Sequence, residues 1–188
     1  MKELSIIRRS IGLLIILLAV APVVVHSQAV FTESGTVSFT SYVPLHDFTG
    51  TSDLLVGKID FATGTVDFYV DLATLKTGIG KRDKDMRLTL DVDSHPFAEF
   101  FGKLTSSVDL ASTTPQTVSV KGTFSIHGVS NEVIVPGILK REGTAWVLHS
   151  TWSILLSDYN IVPPKLLILK VDEKQEIEIK ARLEPQTK

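Results

Sequence analysis

The sequence predicts an all-β domain of antiparallel strands with one short helix. Apolar and polar residues alternate with period two in several stretches, which is the pattern of strands that bury one face. Short turn signals separate these stretches, among them Ala62-Thr63-Gly64 and Glu142-Gly143, and they make consecutive strands antiparallel neighbours. About eight such strands form a sandwich or a closed barrel, and their up-and-down spacing favours the barrel.

The alternation places specific residues on a common face of each predicted strand. The stretches are 37–39, 66–72, 118–126, 146–154 and 177–183, and the charged segment 81–90 is typical of a short helix. An outer-membrane barrel is a rival, since its strands also alternate, but it needs an apolar outer band. Here the polar face carries Glu176, Glu178, Lys180 and Arg182 and belongs in water. We therefore expect a barrel whose apolar face points inward.

Residues 1–27 have the pattern of a cleaved secretory signal peptide. Lys2, Arg8 and Arg9 precede an apolar run that Pro22 interrupts, and small residues follow at plausible cleavage positions. A membrane anchor is the alternative, but a spanning helix needs about 20 apolar residues. We expect a periplasmic or secreted protein with no integral membrane span after cleavage, and one domain over residues 28–188.

Charge and cysteine content narrow the partners. Without the three basic residues and one acidic residue of segment 1–27, the 19 basic and 21 acidic residues of the chain become 16 and 20, a net charge of −4. This balance argues against nucleic acid and anionic membrane surfaces as partners. The chain has no cysteine, so disulfides are excluded and the core must stabilise the fold.

The inward face has two possible uses, because an eight-stranded barrel is either filled by side chains or holds one apolar ligand. The aromatic residues at candidate interior positions are Phe39, Phe68, Phe100, Phe124, Trp146 and Trp152. Their pattern alone favours ordinary core packing, and this leaves a structural or interaction domain with a filled core as the alternative to a binding protein.

Several short motifs, in order, resemble the YceI-like family of secreted bacterial lipid-binding proteins. They cover essentially the whole predicted mature chain. The chain departs from the family in having no histidine within 33–39 and in having Asp85 where a histidine is common, and so resembles a divergent member. The matching pieces are Gly57-Lys58-Ile59-Asp60-Phe61, then Thr77, Arg82, Asp83 and Met86, then Pro96, Ala98 and Phe100, then Gly122 to Ser130, and Asp158-Tyr159-Asn160-Ile161.

The resemblance implies a lipocalin-like eight-stranded barrel with a cavity for a polyisoprenoid, quinone-like or fatty-acyl chain, and no catalysis. It makes the six aromatic residues cavity lining and places Arg82, Asp83 and Tyr159 at a possible cavity mouth. Arg82 and Asp83 have a structural alternative, in which they cap the short helix and bridge to a neighbouring strand. We expect a monomer or weak homodimer that needs no cofactor.

Enzyme and metal motifs are weak or missing in the sequence. There is no phosphate loop, no H-E-x-x-H and no G-x-S-x-G. Asp91, Asp93 and His95 share a spacing that suggests a metal loop, but the turn glycine and the closing glutamate of such loops are absent. We expect no metal site and no enzyme. His127 is expected to be a surface or loop-packing residue, and Gly128 to permit a turn.

Overall fold

The computed structural model describes residues 29–43, 46–163, 165–166 and 169–186. The predicted signal peptide, 1–27, lies outside the described residues. Within them, no helix is both long and apolar enough to cross a membrane. The one α-helix in these ranges, α1, spans Gly80–Thr89. The strands are β1 Ala29–Val43, β2 His46–Asp60, β3 Thr65–Asp71, β4 Phe97–Leu104, β5 Gln116–Ile126, β6 Val129–Glu142, β7 Ala145–Leu155, β8 Lys165–Leu166, β9 Leu169–Lys170 and β10 Lys174–Pro185.

Eight of these strands form a closed antiparallel barrel. Its order is β1-β10-β7-β6-β5-β4-β3-β2, with β1 pairing both β2 and β10, so the barrel has no free edge. The strands β8 and β9 form a separate two-stranded sheet before β10. Chain neighbours pair in sequence order from β1 to β7, which is the up-and-down arrangement that the short turn signals predict. The predicted fold class, an antiparallel eight-stranded barrel with one short helix, is confirmed.

Turn residues fix the register where the chain reverses. Between β5 and β6 only His127 and Gly128 remain unpaired, and both have positive φ, 55° and 73°. This is the backbone of a two-residue hairpin turn whose twist matches that of its strands. The predicted turn at Gly128 is confirmed. Because the turn has two residues, Phe124 and Ile126 keep their inward positions up to the end of β5.

The barrel has two different ends. At one end, here called the helix end, β3 is followed by the 3-10 turn Leu72–Thr74, a short segment and α1. The chain then returns to the barrel as β4. At the opposite end, the far end, Phe61 packs on Trp146 with ring centroids 4.9 Å apart, and Leu139 and Leu183 have no exposed surface. Charged side chains lie outside, as predicted: Glu178 accepts from Lys180 and contacts His149 on the barrel surface. The far end is therefore densely packed core.

Candidate ligand cavity

A cavity of about 310 Å³ occupies the half of the barrel interior at the helix end. Inward side chains of the barrel strands form its walls, and α1 contributes Arg82 and Met86 across the opening. This volume is at the lower end of the range of small-molecule sites, about 300–1,000 Å³. Voids larger than a water molecule are few in packed interiors, so a space of this size is more than imperfect packing.

Five of the six predicted lining aromatics lie on the wall of this cavity. Cross-strand pairing brings three together: Phe68 on β3 faces Phe100 on β4, and Phe100 faces Phe124 on β5. Trp152 on β7 meets Phe124 edge to face, with centroids 6.1 Å apart. Phe39 reaches the wall from β1. Their roles in binding remain predictions, since no ligand tests them.

Trp146 is a correction to the predicted lining. It is buried at 4 % exposure, but it packs against Phe61 and opposite Leu183 at the far end, outside the cavity. Trp146 and Trp152 share the inward face of β7. They are six residues apart, which is about 20 Å along a strand, so only one of them reaches the helix end.

Glycines on neighbouring strands make room for two of the rings. Gly57 is the cross-strand partner of Phe68, and a Cβ built on it would lie 2.0 Å from Cδ1 of that ring. Gly50 faces Phe39 in the same way, with a Cβ that would lie 2.2 Å from Cε1. Each ring therefore covers the backbone of the next strand. Flat rings keep the middle of the barrel open at this end.

Hydrogen bonds hold the start of α1 over the opening. The Asp83 carboxylate accepts from the Thr77 hydroxyl and, at 2.8 Å, from the Thr77 backbone N–H. These two bonds hold the pKa of Asp83 below its ordinary value, and the bond from the hydroxyl has the larger effect. Arg82 Nη2 donates to Thr77 O at 2.8 Å, and paired backbone bonds between Thr51 and Lys76, both 2.9 Å, attach the preceding segment to β2.

The predicted mouth residues take three different positions. Arg82 lies on the cavity wall with its guanidinium carbon 4.5 Å from the centre of the Phe48 ring, a cation–π arrangement. Asp83 is buried at 7 % exposure and takes the structural role, bridging the helix to Thr77. Tyr159 is buried behind Phe124, with centroids 5.5 Å apart, and does not line the cavity. Burial raises the pKa of the Tyr159 phenol.

The remaining charges at the opening are solvent-exposed or paired. Lys81 and Asp85 form an ion pair of 2.7 Å along α1. Gln175 is buried on the wall, where its Nε2 donates to Ser41 Oγ at 3.1 Å and to Asp172 O at 2.6 Å. Among the charged wall residues that the structure describes, Arg82 differs from the others, since its Nε is buried and has no hydrogen-bond partner. The arrangement suits burial of an apolar molecule with its polar end towards Arg82.

Several wall residues were not singled out from the sequence. Phe48 lies in a segment without period-two alternation, and Met86 matches a family motif but was not expected on the cavity wall. The aliphatic wall residues did carry a signal, since they share the inward faces on which the aromatic residues were found. They are Val37, Val70, Ile126, Ile154, Ile177 and Ile179.

The sequence motif of Asp91, Asp93 and His95 builds no metal centre. Within the described ranges, no group of three or more histidine, aspartate or glutamate side chains is placed to hold a metal ion. His95 instead meets His127 edge to face, with ring centroids 6.0 Å apart, and His127 Nδ1 lies 3.1 Å from Tyr159 O. These histidines tie three loops together at the rim of the helix end.

Solved structures with a similar fold share little sequence with this chain. A polyisoprenoid-binding domain from Saccharophagus degradans implicated in plant cell wall breakdown is 20 % identical, over 85 % of this chain and 99 % of that one, with a TM-score of 0.71. Burkholderia cenocepacia BcnA is 18 % identical, over 79 % and 95 %, with a TM-score of 0.64. A Campylobacter jejuni YceI protein is 14 % identical, over 100 % of both chains, with a TM-score of 0.55.

At these identities the likeness concerns the fold. No curated protein matches the sequence. The model of the YceI-like domain matches residues 23–184, most of the chain. The expected family resemblance is thereby confirmed, and the chain belongs to the YceI-like domain family.

Proposed function

We propose that this protein binds an isoprenoid, quinone-like or fatty-acyl chain inside the barrel, and sequesters or carries it after export. The observation that carries the proposal is the 310 Å³ cavity at the helix end, with its wall of aromatic and aliphatic side chains. Burying apolar ligand surface there contributes roughly 25 cal/mol per Å² before ordering costs. A polyisoprenoid-binding domain among the similar folds supports the ligand class.

The cavity favours this function over a filled-core interaction domain. A filled barrel leaves only small voids, because protein interiors pack as densely as organic crystals. The far half of this barrel is packed in that way, around Leu139 and Leu183, whereas the helix half is not. The difference within one barrel supports a binding role for the open half.

The proposed mechanism contains no catalytic step, and the protein acts outside the cytoplasm. In support of the first point, no histidine lies on the cavity wall in the described part of the chain, and Tyr159 is held behind Phe124. Export rests on the signal-like segment 1–27, whose basic start and apolar run are features of the sequence. Both points belong to the proposal.

Organic extraction of the purified protein tests the proposed function. Mass spectrometry of the extract, with native mass spectrometry of the protein, should reveal a stoichiometric apolar molecule. Ala98→Phe projects a ring into the cavity and should remove that molecule. Ala73→Phe makes the same change at an exposed turn and should retain it.

Two results would count against the proposal. A mass without ligand, unchanged after incubation with quinones, polyprenols and fatty acids, would favour a filled-core domain. Full retention in a folded Ala98→Phe variant would show that the ligand binds elsewhere.

A further inference from the structure

A second, smaller cavity lies deeper in the barrel. Its volume is about 40 Å³, and its wall includes Val120, Val135 and Leu148 from the far half. Four residues border both this small cavity and the large one: Phe68, Phe100, Trp152 and Ile179. These four, here called the partition, separate the two spaces along the barrel interior.

The two phenylalanines of the partition are fixed by the sheet. They are direct cross-strand partners, and each ring covers a glycine. A Cβ on Gly57 would lie 2.0 Å from the Phe68 ring. A Cβ on Gly122 would first meet the β4 backbone, 2.5 Å from Phe101 O, and would also lie 2.9 Å from Cζ of Phe100. Since a glycine lies beneath each ring, both rings take defined positions at this depth.

Trp152 is held differently. Its indole nitrogen is buried and has no hydrogen-bond partner among the described residues. Its ring contacts Phe124 edge to face. A shift of this ring therefore breaks no hydrogen bond, whereas buried indole N–H groups usually have one to lose.

We infer that the partition sets the length of chain that the barrel accepts. A bound chain fills the large cavity from the helix end and stops at the rings of Phe68 and Phe100. Shortening Phe100 joins the two cavities into one longer space, whose far wall includes Val135 and Leu139. This inference rests on the proposed function and makes the partition residues determinants of specificity.

The test measures affinity by isothermal titration calorimetry for two series of rising chain length: straight-chain fatty acids from octanoate to stearate, and prenols. For the wild type, affinity should rise about fourfold with each added methylene and then level off once the large cavity is filled. In Phe100→Leu the rise should continue to longer acids, with stearate at least about tenfold tighter than in the wild type. Phe61→Leu is the matched control, because Phe61 borders neither cavity.

Two further variants keep the test decisive. Trp152→Leu opens the partition from another strand and decides the outcome if Phe100→Leu does not fold. Adding Val135→Met to the opened variant fills the small cavity and should restore the wild-type length limit.

The results separate this inference from the proposed function. If the wild type binds no fatty acid and no prenol of any length, the proposed function fails and the inference with it. If the wild type binds but both opened variants level off at the wild-type length, the partition does not set length and the proposed function stands. If Phe61→Leu shifts the limit as much as Phe100→Leu, the effect is general loosening, and the inference is also overturned.

Discussion

Replacing Gly57 by alanine tests whether the glycine beneath Phe68 shapes the cavity. The backbone at Gly57 is not in the left-handed region, so alanine is compatible with its conformation. The obstacle is steric. The new Cβ would lie 2.0 Å from Cδ1 and 2.1 Å from Cε1 of Phe68, which real Cβ atoms do not tolerate. The ring must therefore turn away from β2 and towards the cavity.

The expected cost follows from two opposing effects. Overpacking of a fitted core costs about 1–3 kcal/mol. Alanine also restricts the unfolded chain, which stabilises the fold by about 0.4–1 kcal/mol. The net loss should be about 1–2 kcal/mol, which for a domain of this size lowers the melting temperature by about 2–8 °C.

Thermal unfolding followed by circular dichroism measures this loss. Gly80→Ala is the control, because a Cβ there meets nothing within 4 Å at the start of α1, and its melting temperature should stay level or rise slightly. Phe68→Leu removes the clash, so it should cost less in the Gly57→Ala background than in the wild type. An unchanged melting temperature for Gly57→Ala, or strictly additive losses in the double variant, would refute the reasoning.

Three other changes test the cavity and the start of α1 at its opening. Phe124→Asp places a carboxylate on an apolar wall and should abolish ligand retention in the extraction assay, whereas Phe124→Leu should retain ligand. Retention by a folded Phe124→Asp variant would contradict the assignment of Phe124 to the ligand-binding wall. Arg82→Met keeps an apolar stem beside Phe48. In calorimetry it should weaken the binding of fatty acids by up to about fivefold but leave the affinity for prenols of equal length unchanged. Equal losses of affinity for both would argue against a contact between Arg82 and the head group. Thr77→Val removes the hydroxyl hydrogen bond that lowers the pKa of Asp83. This bond stabilises the fold above the ordinary pKa of 3.8, and the stabilisation is lost as pH falls through the lower pKa of the folded state. The urea midpoints of Thr77→Val and wild type should therefore differ most near neutral pH and converge in acid, and an unchanging difference would count against this role.

Local patterns in the sequence were enough to predict most of the framework. The alternation in 118–126 places Phe124 and Ile126 inward, and the structure has them buried on β5. The charged segment 81–90 matches α1, Gly80–Thr89, within one residue at each end. These features depend on residues close in the chain, because strand alternation and helix propensity are local properties.

Depth within the barrel could not be predicted, because it depends on contacts between distant segments. Alternation puts Trp146 and Trp152 on the same face, and only the pairing of Trp146 with Phe61 places it at the far end. Tyr159 was expected at the mouth, but the 3-10 turn Leu156–Tyr159 buries its ring behind Phe124. Neither the position of Trp146 nor that of Tyr159 is indicated by the few residues around it in the sequence.

The register between strands determines which residues lie opposite each aromatic ring, and the pattern of a single strand does not show this. Phe39 and Phe68 face Gly50 and Gly57 on β2, so each ring lies over a neighbouring backbone instead of crossing the middle of the barrel. An aromatic residue paired with glycine therefore widens the interior on its own side. Phe68, Phe100 and Trp152 border both the large and the small cavity, and there the large cavity ends. Phe68 has a glycine partner, as Phe39 does, yet it borders both spaces. The same class of side chain thus forms both the wall and the floor, and the depth of each ring in the barrel, more than its residue type, decides which.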